Sequence, residues 1–194
     1  MKFDYNTRYR DSFALLRHTD QRIAYGLLVL VLIAFPWVAS KFFVAELSYV
    51  FILCIASLGL MVLTGYTGQV SLGHAAFVAV GAYAHAWMLS KGVPLLVSLP
   101  LSGLLCAAFG VAVGVPAIRV SGLYLAMVTL AFSVIVTHVI GHWGSVTGGF
   151  TGLAVSDPAI FGTALGGPKA FYFLCLAVLV LVLLALFNLL RSGL

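Results

Sequence analysis

Formal charge nearly vanishes from the middle of this chain: between Glu46 and Arg119 the sole charged residue is Lys91. Only 8% of the 194 residues are charged and 63% are hydrophobic, where a soluble domain carries about a quarter charged residues. A water-soluble fold is excluded on that ground. Carboxylates are scarcer still, with Glu46 alone between positions 21 and 156. That removes any intramembrane acid pair and leaves Glu46 an interfacial role at the outer end of a span. The sequence has no glycine-rich loop ending in Gly-Lys-Ser or Gly-Lys-Thr, no HExxH and no GxSxG. Without them neither nucleotide hydrolysis nor another catalytic activity is expected of this chain. Ser71 and His74 lie three apart but lack a third group to orient them.

Cysteine is sparse. Cys54, Cys106 and Cys175 each lie within an apolar segment, are odd in number and lack ligand spacing, so they read as small buried hydrophobes. His74 and His85 share a helical face but are too far apart to chelate one ion. His138 and His142, beside Trp143, read as interfacial anchors. No metal or cofactor is expected. The net charge of +5 comes without a basic stripe of interleaved aromatics, so no nucleic-acid partner is expected either. The first apolar run is expected to be a retained helix and not a secretory signal: 22 mostly polar residues precede it and no small-residue cleavage site follows it before the next span.

What is present is apolar length. A helix needs roughly 20 apolar residues to cross the hydrocarbon core, and six segments approach that: 23–39, 48–63, 74–89, 94–118, 122–140 and 170–190. Pro100 is expected to delay the start of the fourth. None shows the alternation of a barrel strand. The predicted fold is therefore all-α, a polytopic bundle of about six transmembrane helices, with the bilayer as its solvent.

Six spans put both termini on one side, with the loops near 65–73 and 119–121. That side holds Lys2, Arg8, Arg10, Arg17, Arg22, Arg119 and Arg191, against Lys41, Lys91 and Lys169 opposite. Basic residues near span ends resist translocation, so the N-terminus is expected in the cytoplasm. The organisation read from this is a cytoplasmic segment at 1–22, a transmembrane region at 23–190 and the start of a cytoplasmic loop at 191–194.

Several spans are not uniform anchors. In the fourth, Gly103, Ala107, Gly110 and Gly114 recur at helical spacing as one small-residue face, suited to helix packing inside the bundle or at a subunit interface. In the fifth, Thr129, Ser133 and Thr137 recur every four residues. Such a stripe either lines an aqueous path or bonds its hydroxyls to its own helix. Between the second and third spans runs Gly65-Tyr66-Thr67-Gly68-Gln69-Val70-Ser71-Leu72-Gly73-His74, too polar to face lipid and uncharged. Two readings fit it. One is a tight turn capping the third helix, with Ser71 or His74 satisfying free backbone groups. The other is a helix break lining a translocation path. The outer connection at 142–169 holds seven glycines among its 28 residues; it reads as a lid, a dip into the membrane or a docking loop, with turns at Asp157-Pro158 and Gly166-Gly167-Pro168.

Three blocks carry a family resemblance. The stretch from Gly65 to Phe77 with Gly81-Ala82-Tyr83, the stretch from Arg119 to Phe132, and Thr147-Gly148-Gly149-Phe150-Thr151-Gly152-Leu153 occur in order. Together the chain resembles permease subunits of bacterial branched-chain amino-acid ABC transporters, most closely the LivM-type half of the pair; urea permeases are near relatives. The resemblance implies an ABC importer permease fold in the bacterial inner membrane. It implies a second, LivH-like permease subunit, two cytoplasmic ATPases holding ATP and magnesium, and a periplasmic binding protein delivering leucine, isoleucine or valine. It nominates Thr67, Gln69, Ser71 and His74, with Thr147, Gly148 and Gly149, for the translocation path or gate. Family members continue past the stretch ending at Arg191-Ser192 into a basic coupling loop and further helices. The expectation from that difference is an N-terminal part of such a permease, or else a truncated, non-transporting scaffold.

Overall fold

The computed structural model describes residues 19–117, 119–120, 122–154, 159–160, 163–164 and 167–191. Lys2, Arg8, Arg10, Arg17, Ser121, Asp157, Pro158, Gly166 and Ser192 lie outside them.

Long apolar sequence becomes helix because only intrasegment hydrogen bonding satisfies a backbone in lipid. The helices are α1 (Thr19–Val38), α2 (Lys41–Tyr66), α3 (His74–Ser90), α4 (Leu95–Ala117), α5 (Leu123–His142), a single turn α6 (Gly144–Thr147) and α7 (Pro168–Arg191). A 3-10 turn follows α6 at Gly149–Thr151, and a two-residue antiparallel ladder pairs β1 (Ala159–Ile160) with β2 (Thr163–Ala164) in the connection that leads to α7.

Four of these helices are long and apolar enough to cross a membrane: Lys41–Tyr66, Leu95–Val115, Leu123–His142 and Pro168–Leu190. That is fewer than the six spans expected. The 17 residues of α3 rise only about 26 Å at 1.5 Å each, short of the roughly 30 Å hydrocarbon core, and the apolar part of α1, Ile23–Val38, is also short. Two boundaries differ as well. The second span is expected to start near residue 48, yet α2 begins at Lys41: Lys41 and Glu46 are the only charges in a stretch whose other residues, Phe42, Phe43, Val44, Ala45 and Leu47, are apolar. Pro100 does not delay α4, which runs unbroken from Leu95. Transmembrane helices tolerate one missing N–H where neighbouring groups compensate.

The helices pack in two groups. In the first, α2 lies along α7 and touches α1. Its core is Val44, Phe51, Tyr172 and Cys175, with Leu32, Phe35, Leu47 and Leu176 against it. Tyr172, fully buried, stacks on Phe35 and meets Phe51 at a tilt, with centroids 6.3 and 5.2 Å away, and its hydroxyl reaches α1 at Leu32. In the second, α3 packs along α4 and against α5. Phe77 meets Phe132 at 5.1 Å, and the Cys106 thiol donates to the Phe77 carbonyl at 3.0 Å. The expectation of three buried cysteines is corrected at Cys54, which is exposed on the outer face of α2, while Cys106 is half-buried and Cys175 buried. Periodicity gave no warning, since α2 is apolar all round and any face of it satisfies lipid.

Most large apolar side chains point outward, including Leu30, Leu104, Val111 and Leu181 at 66–67% exposure. This is the inside-out surface of a protein solvated by lipid. Lys91 ends α3 with its ammonium 5.9 Å from the Trp87 ring, a pairing suited to the headgroup boundary.

Candidate functional site

The polar stretch between α2 and α3 is a true break. Thr67 caps α2, and its hydroxyl donates to the Leu63 carbonyl. Gly68 follows at φ 64°, a left-handed conformation that ends helices cheaply only without a Cβ. The Gln69 N–H then reaches back to Leu63 O at 3.4 Å.

From there α5 holds the chain. The Leu72 N–H donates to Thr129 Oγ1 at 3.0 Å, and that hydroxyl donates in turn to Ala126 O at 3.0 Å. Gly73 lies so close that a Cβ there would sit 2.7 Å from the Thr129 carbonyl oxygen. Here glycine is required by proximity, since its own φ of −92° is ordinary. Immediately after it, His74 Nε2 lies 2.8 Å from Ala56 O on α2, its ring over the bare face of Gly59.

Beneath this break is a cavity of about 400 Å³, inside the size range of small-molecule sites. Gln69, Ser71, His74 and Thr129 form its polar side; Leu63, Val70, Phe77, Val113 and Leu125 supply apolar wall. No lining residue carries a fixed charge. Among the candidate residues, therefore, Gln69, Ser71, His74 and Thr129 come together, and Thr67 stands just above them, exposed, at the end of α2.

The hydroxyl stripe of α5 divides. Thr129 reaches the cavity but is committed to two backbone groups, Ser133 is half-buried outside the lining, and Thr137 bonds to the Ser133 carbonyl at 2.9 Å. The small-residue face of α4 divides too: Ala107, Gly110 and Gly114 line the cavity and Gly103 does not. A Cβ built at 103, 110 or 114 meets no described atom within 4 Å. The close helix approach those glycines permit is thus not made within the described chain.

Thr147, Gly148 and Gly149 lie at the other end of α5, roughly 20 Å from Thr129 at 1.5 Å per residue. The buried Thr147 hydroxyl lies 2.6 Å from Ile140 O and 2.7 Å from Trp143 O, and it accepts the Gly149 N–H at 3.2 Å. Gly148 and Gly149 are left-handed, at φ 73° and 61°. A Cβ on Gly148 would fall 2.3 Å from Gly152 O. This is a tightly specified turn against the end of α5, separate from the cavity. Nearby, the His138 and His142 ring centroids lie 4.1 Å apart, tilted by 32°, with His142 Nδ1 2.9 Å from His138 O. Among the described residues no three His, Cys, Asp or Glu side chains gather as a metal site.

Sequence reasoning did not single out Gly59, Leu63 or Val113, and it read Cys106 only as a small buried hydrophobe. Gly59 lies 15 positions before His74 across the break, and nothing local couples the two.

The fold and cavity define a class: an all-α polytopic membrane protein with a broken-helix pocket, the architecture of a permease. The family described as branched-chain amino acid transport system / permease component matches residues 42–194, and the chain belongs to it. It is 34% identical over 189 residues to the high-affinity branched-chain amino acid transport system permease protein LivM of Salmonella typhimurium, covering 86% of this chain and 44% of that protein. With the LivM protein of Escherichia coli it shares 35% identity over 144 residues, 73% of this chain and 34% of that one. The chain thus spans less than half the length of these curated relatives. No solved structure matches it.

Proposed function

We propose that this chain builds part of the membrane passage of an ATP-driven ABC importer for branched-chain amino acids. The cavity under the α2–α3 break carries the reading. Its Leu63, Phe77, Val113 and Leu125 wall suits a branched aliphatic side chain, and Gln69, Ser71 and His74 offer polar groups to the backbone end of such a molecule. Urea, the alternative cargo of near relatives, would gain little from that apolar wall. Family membership and the printed names of the relatives support the same cargo class.

In this reading six helices cross the bacterial inner membrane, α1 and α3 included, with 1–22 and the start of a coupling loop at 191–194 in the cytoplasm. The seven basic residues assigned to that side, against three lysines opposite, support the orientation. Thr147, Gly148 and Gly149 then belong to an outer gate. Gly103, the member of the small face of α4 outside the cavity lining, is available to a LivH-like second permease subunit. Two cytoplasmic ATPases hold ATP and magnesium, and a periplasmic binding protein delivers the cargo; this chain contributes passage and no catalysis.

The test is uptake of labelled L-leucine by cells lacking their own system and expressing this chain with those four partner components. Leucine uptake that depends on the chain is expected. Uptake of urea in place of leucine would overturn the cargo, and failure of the membrane-inserted chain to co-purify with any ATPase would overturn the transport reading.

A further inference from the structure

The contact between His74 Nε2 and Ala56 O, at 2.8 Å, fixes more than a ring position. A carbonyl oxygen only accepts, so Nε2 carries the hydrogen, and in the neutral ring the lone pair is then on Nδ1. Gly59 holds this arrangement. A Cβ there would stand 3.3 Å from Cε1 and 3.7 Å from Nε2, so a side chain at position 59 would press on the ring edge that faces α2.

Nδ1 makes no hydrogen bond within the described chain, yet it is not sealed in. Among the described residues the buried side-chain nitrogen or oxygen atom without a partner is His85 Nδ1. His74 is half-buried and lines the cavity. The rest of the polar side differs in kind. Thr129 is committed to Leu72 and Ala126, while Ser71 and Gln69 each both donate and accept. With no acidic side chain in the lining, the imidazole lone pair is the one side-chain nitrogen there that only accepts.

We propose that His74 Nδ1 is a specificity-determining acceptor that takes an N–H of the cargo, the α-ammonium of an amino acid, with Ala56 O and Gly59 setting the tautomer that keeps it an acceptor. The inference rests on the cavity holding an amino acid. A neutral acceptor suits a passage: a carboxylate in these apolar surroundings would grip an ammonium strongly, whereas conduction needs binding weak enough to leave.

The test is nitrogen-15 NMR of histidine and glutamine side chains in the assembled transporter in lipid nanodiscs, with the ring assigned by its loss in H74Q. The Nε2–H tautomer is expected without ligand. Added L-leucine is expected to shift the Nδ1 resonance, and 4-methylpentanoate, the same skeleton without the amino group, to leave it in place. An Nδ1–H or doubly protonated ring overturns the inference, as do equal shifts from both compounds. If leucine moves the Gln69 amide and not His74, the cavity keeps its cargo and this inference fails; if it moves neither, the passage reading fails with it. In uptake, H74L should lose at least about tenfold, the worth of one charge-assisted hydrogen bond, and H74Q, which keeps a donor and an acceptor, should recover part of that. Equal uptake by H74L and H74Q at equal membrane abundance also overturns it.

Discussion

The phenol of Tyr172 on α7 donates a 2.9 Å hydrogen bond to the carbonyl oxygen of Leu32 on α1. Leu32 is the residue whose helical donor would have been the N–H of position 36, and position 36 is proline. A proline in a helix strips the carbonyl four residues earlier of its partner, and in lipid such a group is costly. Here the orphan is satisfied from another helix. A local defect in α1 has become a tie between two segments 140 residues apart.

Tyr172→Phe should therefore destabilise the α1–α7 contact by about 1–2 kcal/mol, read as a lower unfolding midpoint in detergent. Pro36→Ala returns an N–H to Leu32. In that background Tyr172→Phe should cost distinctly less, and a double-mutant cycle with zero coupling would refute the connection.

Gly73→Ala brings a methyl to 2.7 Å from the Thr129 carbonyl oxygen and should cost about 1–3 kcal/mol through forced backbone shifts. Gly65→Ala is the control. It lies inside α2 with nothing within 4 Å of its Cβ, and it should raise stability by up to about 1 kcal/mol. Thermal unfolding of the two variants side by side separates them; a shift of the same sign in both would contradict the geometry.

Thr129→Val keeps the shape and removes the acceptor for the Leu72 N–H. The expected penalty is about 1–3 kcal/mol, and amide exchange at Leu72 should quicken while that of mid-α7 does not. Thr129→Ser should retain the slow exchange.

How much of this was legible follows from how local each feature is. Apolar length gave the helices, and the uncharged glycine-rich stretch gave the break between α2 and α3, because both signals sit in a few adjacent residues. The role of Thr129 was not legible. Its hydroxyl is one of three in a regular stripe, and only the fold decides which one arrives opposite Leu72 and Gly73. The same holds for α4, where spacing announced a small face but not that Gly110 and Gly114 look into a cavity.

Gly110→Leu exploits that difference. No described atom lies within 4 Å of a Cβ there, so the chain should insert and fold normally while the added side chain fills part of the cavity. Uptake should fall at unchanged membrane abundance; unchanged uptake would place the passage elsewhere.

Gly148→Ala combines a left-handed backbone with a Cβ 2.3 Å from Gly152 O. The 144–152 turn should open, measured as faster amide exchange there, with α2 and α7 undisturbed. Thr147→Val should produce the same local loss through its missing hydroxyl, and Thr147→Ser should not.

The two packed groups of helices have a mechanical meaning. The cavity takes Gly59 and Leu63 from α2 in one group, and its remaining walls from α4, α5, the start of α3 and the break in the other. Its width is therefore set where the two groups meet, and the 2.8 Å contact from His74 Nε2 to Ala56 O is a hydrogen bond that spans that seam.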